Sequence, residues 1–326
     1  WNKPTTGTKV AGYNIYREQS DSTNYDLIKG GVTDTTYQDS TGVQGNTYEY
    51  RVATVDTNQT AGVMCGAVGV TIASSYKLLQ TINFDSLNNN QISFAMSKDT
   101  IFYIAFNIPN NGSFIGVFDK MGHNTGIIGQ GKFIQLYDVG VDSNKNIYAV
   151  DPAANKILKF NSSGDSIGQC SVLNPLSILI NNQNNLFILG GGSPFNITKI
   201  DTAGNTLIID SVPLINEPSE MVLGPSGNII IHDAITNQLV TYSNNLALIN
   251  YSTLTLNNNL RVVDPSGNIY TENESNFTIT VYNSSGAILA AWNPQMPFYQ
   301  LRNYGHKIYA FGYNANHLIK IFSIPF

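Results

Sequence analysis

Five carboxylates, Asp138, Asp151, Glu220, Asp233 and Glu272, recur beside short apolar runs in a chain of which only 12% is charged. Gathered at one point, such acids supply general acid–base chemistry or the hard oxygen ligands of Ca²⁺. Tyr137, Tyr299 and Tyr313, with Phe298 and Phe311 beside them, fall near the same points. Their faces suit stacking on sugars or peptides. A structural reading competes with both: acids that satisfy turn backbones, and aromatics that pack between repeated units.

Other chemistries find less support. The histidines, His123, His232, His306 and His317, share no common position, so a His₃ zinc site is not expected. The turns "DSNKN" at Asp142 and "DPSGN" at Asp264 lack the twelfth-position Glu of a Ca²⁺ loop, carrying Ala153 and Ser275 there, and read as hairpins. "FILGGGSPFN" (187–196) lacks the Lys-Ser/Thr of a phosphate loop. No catalytic constellation, metal site or cofactor is expected. For Cys65 and Cys170 two readings stay open: a disulfide across domains in an oxidising compartment, or two small buried apolar residues.

The elements that position these residues repeat. Short apolar strands follow a polar turn at Thr100, Asn146, Asn185, Asn228, Asn268 and Lys307, with starts 46, 39, 43, 40 and 39 residues apart. A second apolar register follows each one, as in Ile157/Phe160/Asn161 and Ile279/Tyr282/Asn283. Alternation over short spans between turn residues predicts antiparallel strands, about four per unit. Such a sheet buries both faces only between neighbours, so the fold class is all-β and six units close into a six-bladed β-propeller. The last unit ends after its third strand. "YKLLQTINF" (76–84) is expected to supply the fourth and close the ring.

Two stretches carry family resemblances. "DSNKNIYAVDPAANKILKFNSSGD" (142–165) and "DPSGNIYTENESNFTITVYNSSGA" (264–287) resemble NHL repeats, which implies a propeller over residues 75–326 that binds proteins, small ligands or RNA. "WNKPTTGTKVAGYNIYRE" and "NTYEYRVATVD" within residues 1–74 resemble a fibronectin type III domain. That resemblance implies an Ig-like sandwich with Trp1 in its core and Tyr48 as the corner tyrosine. The sandwich is incomplete before Trp1, so upstream sequence or a strand from another chain is expected to complete it.

Net charge is −5, split as 5 basic and 7 acidic residues in 1–75 and 12 and 15 in 76–326. Neither part has the basic stripe that nucleic acid requires, and no apolar run is long enough to cross a membrane. Asn-x-Ser/Thr triplets at Asn58, Asn111, Asn161, Asn196, Asn250, Asn273, Asn276 and Asn283 are glycosylation candidates, though 41 asparagines make about this many triplets by chance. The expectation is an extracellular or cell-surface, non-enzymatic adhesion protein. Its propeller is the binding head for surface proteins or glycans, and its type III domain is a spacer that could self-assemble into a filament or coat. The alternative is a lyase or hydrolase acting on polysaccharide through a carboxylate site in the propeller channel.

Overall fold

Many of the hairpin turns among the described residues share one device, a short polar side chain at the first turn position. Asp142 Oδ1 accepts the N–H groups of Asn144 and Asn146 at 2.9 and 2.8 Å, and Asp264 does the same for Ser266 and Asn268. Asp119, Asn161, Asn181, Asp201, Ser243 and Asn283 repeat the i+2 and i+4 pattern. A short polar side chain thus replaces water on two N–H groups that the tight turn leaves unpaired. The residue at i+3 takes a left-handed backbone: Gly164 and Gly267 have φ of 88° and 86°, and Lys145 has 64°. The sequence reading of "DSNKN" and "DPSGN" as hairpins matches this geometry.

The computed structural model describes residues 1–4, 9–19, 24–37, 39, 41–42, 46–71, 76–84, 91–108, 112–213, 215–252, 259–312 and 318–324. They form twenty-eight strands, β1–β28 in chain order, and no helix. The chain divides into two compact units, Trp1–Ser75 with Ile288–Trp292, and Tyr76–Ala287 with Asn293–Phe326.

In the first unit β1 (Val10–Gln19), β2 (Asp26–Val32), β3 (Thr47–Asp56) and β4 (Val68–Thr71) make one sheet in the order β2-β1-β3-β4. Among the described residues of this unit this is the one sheet seen, and a second, facing sheet is not shown. Trp1 is 38% exposed rather than in a core, and it packs edge-on against Tyr13 at 5.3 Å. Tyr48 is buried, and its hydroxyl accepts from Asn46 Nδ2.

Six further four-stranded antiparallel sheets follow, each with its strands in sequence order except the last. Their first strands are β6 (Gln91–Met96), β10 (Asp138–Val141), β14 (Pro175–Ile180), β18 (Pro218–Leu223), β22 (Asn259–Val263) and β26 (Phe298–Asn303). Each contacts the next and β26 contacts β6, which closes a six-bladed propeller around a central channel. The sixth blade takes its fourth strand from β5 (Leu78–Asn83), paired with β28 (Leu318–Ser323) in the register Ile82↔Ile319. The closure expected from "YKLLQTINF" is therefore present. Beside it Phe84 packs edge-on against Phe102 and Phe118 at 5.5 and 5.1 Å, in an aromatic cluster between the first and last blades.

Cys65 and Cys170 are both free thiols, and burial pushes the Cys170 thiol pKa up. Among the glycosylation candidates, Asn58, Asn250 and Asn276 are exposed, and Asn161, Asn196, Asn273 and Asn283 are half-buried. Asn111 lies outside the described residues. Replacing the buried Phe84 tests the closure: Phe84→Ala is expected to destabilise the protein by about 3–5 kcal/mol in urea denaturation, because the cluster cannot collapse onto the cavity.

Candidate active site in the propeller channel

Pairing registers place one polar residue from each blade at a common level of the channel. Ser93, Asp138, Ser177, Glu220, Asn259 and Gln300 each face the equivalent position of the next strand in their own blade, namely Ala105, Val150, Leu189, His232, Glu272 and Phe311. Four of them, Asp138, Ser177, Glu220 and Gln300, line a cavity of about 370 Å³ together with Tyr137 and the apolar side chains of Ile92, Leu176, Leu189 and Met221. Tyr137 is half-exposed at this mouth.

Two arginines tie this level together. Arg302, one step deeper along β26, places Nη2 3.8 Å from Asp138 Oδ1 and Nη1 3.8 Å from Glu220 Oε1, so it bridges carboxylates on two non-adjacent blades. Arg261 is the residue that the β22 ladder skips between Leu260 and Val262. Such a bulge re-aims its side chain. Its Nε donates to Glu272 Oε2 at 2.6 Å, Nη2 reaches Glu274 at 3.2 Å, and Nη1 lies 4.0 Å from Glu220. The network therefore runs Asp138, Arg302, Glu220, Arg261, Glu272.

The two carboxylates in the cavity differ in kind. Asp138 is committed: it accepts from the Ser93 hydroxyl, from Val139 N–H at 2.9 Å and from Ile178 N–H at 3.0 Å. Among the described residues Glu220 has no such cradle. Burial raises its pKa to about 7, a rise opposed by Arg302 and Arg261 and reinforced by Asp138. His232, the cross-strand partner of Glu220 on β19 (Ile229–Asp233), is fully buried, and burial lowers its pKa, which favours the neutral imidazole. Glu272, beneath Arg261, is also raised by burial against the pull of that arginine.

The remaining candidates divide. Asp151 and Asp233 are fully buried but face their own blades' loops rather than the cavity. Asp151 accepts the N–H groups of Ile134, Gln135 and Ala154, and Asp233 those of Asn216, Glu217 and Ile235 with the Thr236 hydroxyl. They hold the segments that lead into the first strands, which is a positioning role. The side chain of Tyr299 and all of Tyr313 lie outside the described residues. Arg261, Arg302, Ser93, Gln300 and His232 were not singled out from sequence. A signal existed for the arginines: they are the only two after Arg51, and each follows a leucine, Leu260 and Leu301, at blade spacing.

Solved structures resemble this fold. Virginiamycin B lyase from Staphylococcus aureus superposes with a TM-score of 0.56 at 11% identity, covering 95% of this chain and 99% of that one. A streptogramin B lyase gives 0.55 at 13%, covering 95% and 98%. A gluconolactonase from Xanthomonas campestris gives 0.57 at 8%, covering 76% and 99%. No known family matches the sequence, and no curated protein sequence matches it. At these identities the likeness establishes the β-propeller fold. It also corrects the expectation of a non-enzymatic adhesion head without a catalytic constellation. The three structures named above are enzymes, and the channel of this chain holds an arginine-bridged carboxylate pair that sequence alone did not display.

Two outcomes check this division. Glu220 keeps a proton to higher pH folded than unfolded, so its contribution to stability is complete below the ordinary carboxyl range and is lost as pH rises through about 7. The Glu220 contribution to the unfolding free energy is expected to fall by about 2–3 kcal/mol between pH 5 and 8, read as the difference between the pH profiles of the wild type and Glu220→Gln. By contrast, Asp151→Ala leaves three part-buried N–H groups without their carboxylate and is expected to cost about 1–3 kcal/mol at any pH near neutral, measured by urea denaturation.

Proposed function

We propose that this protein is a lyase or hydrolase that cleaves a saccharide substrate by proton transfer at Glu220. The observation that carries the reading is the Glu220 carboxyl, with a pKa of about 7, facing a 370 Å³ cavity beside Asp138 and bridged to it by Arg302. A carboxyl that titrates near neutral pH is half protonated and half ionised where the protein works, so it can give a proton to a leaving oxygen or take one from an attacking water or carbon acid. Asp138, held by Ser93 and two backbone N–H groups, stays fixed as the second carboxylate. Arg302 spans the two and stabilises negative charge that develops between them.

The walls fit the substrate class. Ser177 and Gln300 provide hydrogen-bonding groups, while Ile92, Leu176 and Met221 provide apolar surface for the carbon face of a sugar ring, with the half-exposed Tyr137 at the mouth. The residues before the propeller support a partial type III-like sheet and the blades an NHL-like arrangement. We place the protein at the cell surface or outside it, where polysaccharide substrates occur.

The test is turnover of neutral and acidic polysaccharides, followed by reducing ends and by the ultraviolet absorbance of an unsaturated product. Reducing ends alone mark a hydrolase, and both signals mark a lyase. Glu220→Gln is expected to lower the rate about 10²–10⁴-fold with binding retained, and the wild-type profile to turn near pH 7. Full turnover in Glu220→Gln would sink the proposal.

A further inference from the structure

The inner strands all run the same way along the channel, so progress along each strand is progress along the axis. The 370 Å³ cavity is bounded by residues early in these strands, such as Asp138 and Glu220, and a middle space of about 210 Å³ by Phe94–Met96, Val139–Val141 and Arg302–Tyr304. At the strands' far ends lies a third and wider space of about 830 Å³, on the other side of the Arg302 level from Glu220. Nothing in the acid–base site uses it.

The chemistry of this far cup differs from that of the first cavity. Lys98, His306 and Lys307 are exposed on it, and Ser97, Asn182 and Asn303 add amide and hydroxyl groups. The carboxylate among its described lining residues, Asp142, is buried and already accepts from Asn144 N–H, Asn146 N–H, Asn146 Nδ2 and the Tyr148 hydroxyl. Its oxygens are therefore occupied by groups of its own turn and strand rather than by the lysines. Asn303 Nδ2, between the middle space and the cup, is buried with no hydrogen-bond partner among the described residues. A buried donor left this way costs about 1–3 kcal/mol, which an acceptor on a ligand would recover.

We infer that this far cup is a second binding site, for an acidic oligosaccharide. Its volume lies within the range of small-ligand sites. Cations without an available counter-carboxylate select a negative charge, and amide side chains suit a ligand dense in hydroxyls. The site does not depend on the role given to Glu220.

Isothermal titration of the whole chain with trigalacturonate, and with the neutral trisaccharide maltotriose, tests this. Trigalacturonate is expected to bind, to weaken with added salt, and to lose about tenfold in affinity in the Lys98→Ala/Lys307→Ala double variant. Asn303→Ala is expected to weaken it further, and Glu220→Gln to leave it unchanged. Three results would each overturn the inference: no binding of trigalacturonate, equal binding of maltotriose, or affinity that survives the lysine substitutions but is lost in Glu220→Gln. Turnover by Glu220→Gln is read separately, so loss of the acid–base reading and loss of this site are distinguishable.

Discussion

Main-chain pairing between Leu78–Asn83 and Leu318–Ser323 is the contact on which the rest depends. A four-stranded blade has two apolar faces and can bury both only between two neighbours, so an open row of blades would leave its ends exposed. The pairing joins segments more than two hundred residues apart and turns the row into a ring. Once the ring closes, Phe84, Phe94, Phe102, Phe118 and Phe311 become interior, and six first strands are forced to meet around one axis.

That meeting creates the site as a geometric consequence. Residues at one register of six blades form one level of the channel, and six polar side chains there would be poorly placed in any other core. Their burial is tolerated because they satisfy each other: Ser93 donates to Asp138, Gln300 accepts from Phe94 N–H at 3.1 Å, and two arginines balance Asp138, Glu220 and Glu272. Breaking such a buried network by removing one member is costly, whereas an intact one confers specificity more than stability. Glu220 meets its partners in this network through the two arginines, at 3.8 and 4.0 Å. The same enclosure that would penalise its charge is what makes its proton exchangeable near neutral pH.

The protein also separates positioning acids from reactive ones by a simple criterion. Asp142, Asp151, Asp233 and Asp264 are buried, but several backbone N–H groups converge on each. Such an acid is a fixed part of a turn. Arg302 likewise contrasts with Arg261: one reaches two carboxylates at 3.8 Å, while the other is clamped by Glu272 at 2.6 Å.

What the sequence by itself determined is periodic and local: the blade spacing, the Asx-type turns at Asp142 and Asp264, and the apolar alternation that leaves one unit short of a strand. These are legible because each rests on neighbours within a few residues. It also placed Asp138, Glu220 and Glu272 among the candidates, but could not separate them from Asp151 and Asp233, because local sequence does not show which acid the backbone will satisfy. Arg302 and Glu220 stand 82 residues apart by their numbering and meet only because the ring brings blades four and six across one axis. The N-terminal strands show the opposite case: the motifs around Trp1 and Tyr48 suggested two facing sheets, yet the described residues build one. Tertiary structure alone decided which charges share the channel, since the distance between side chains there is set by ring closure and by the bulge at Arg261, neither of which leaves a local signature.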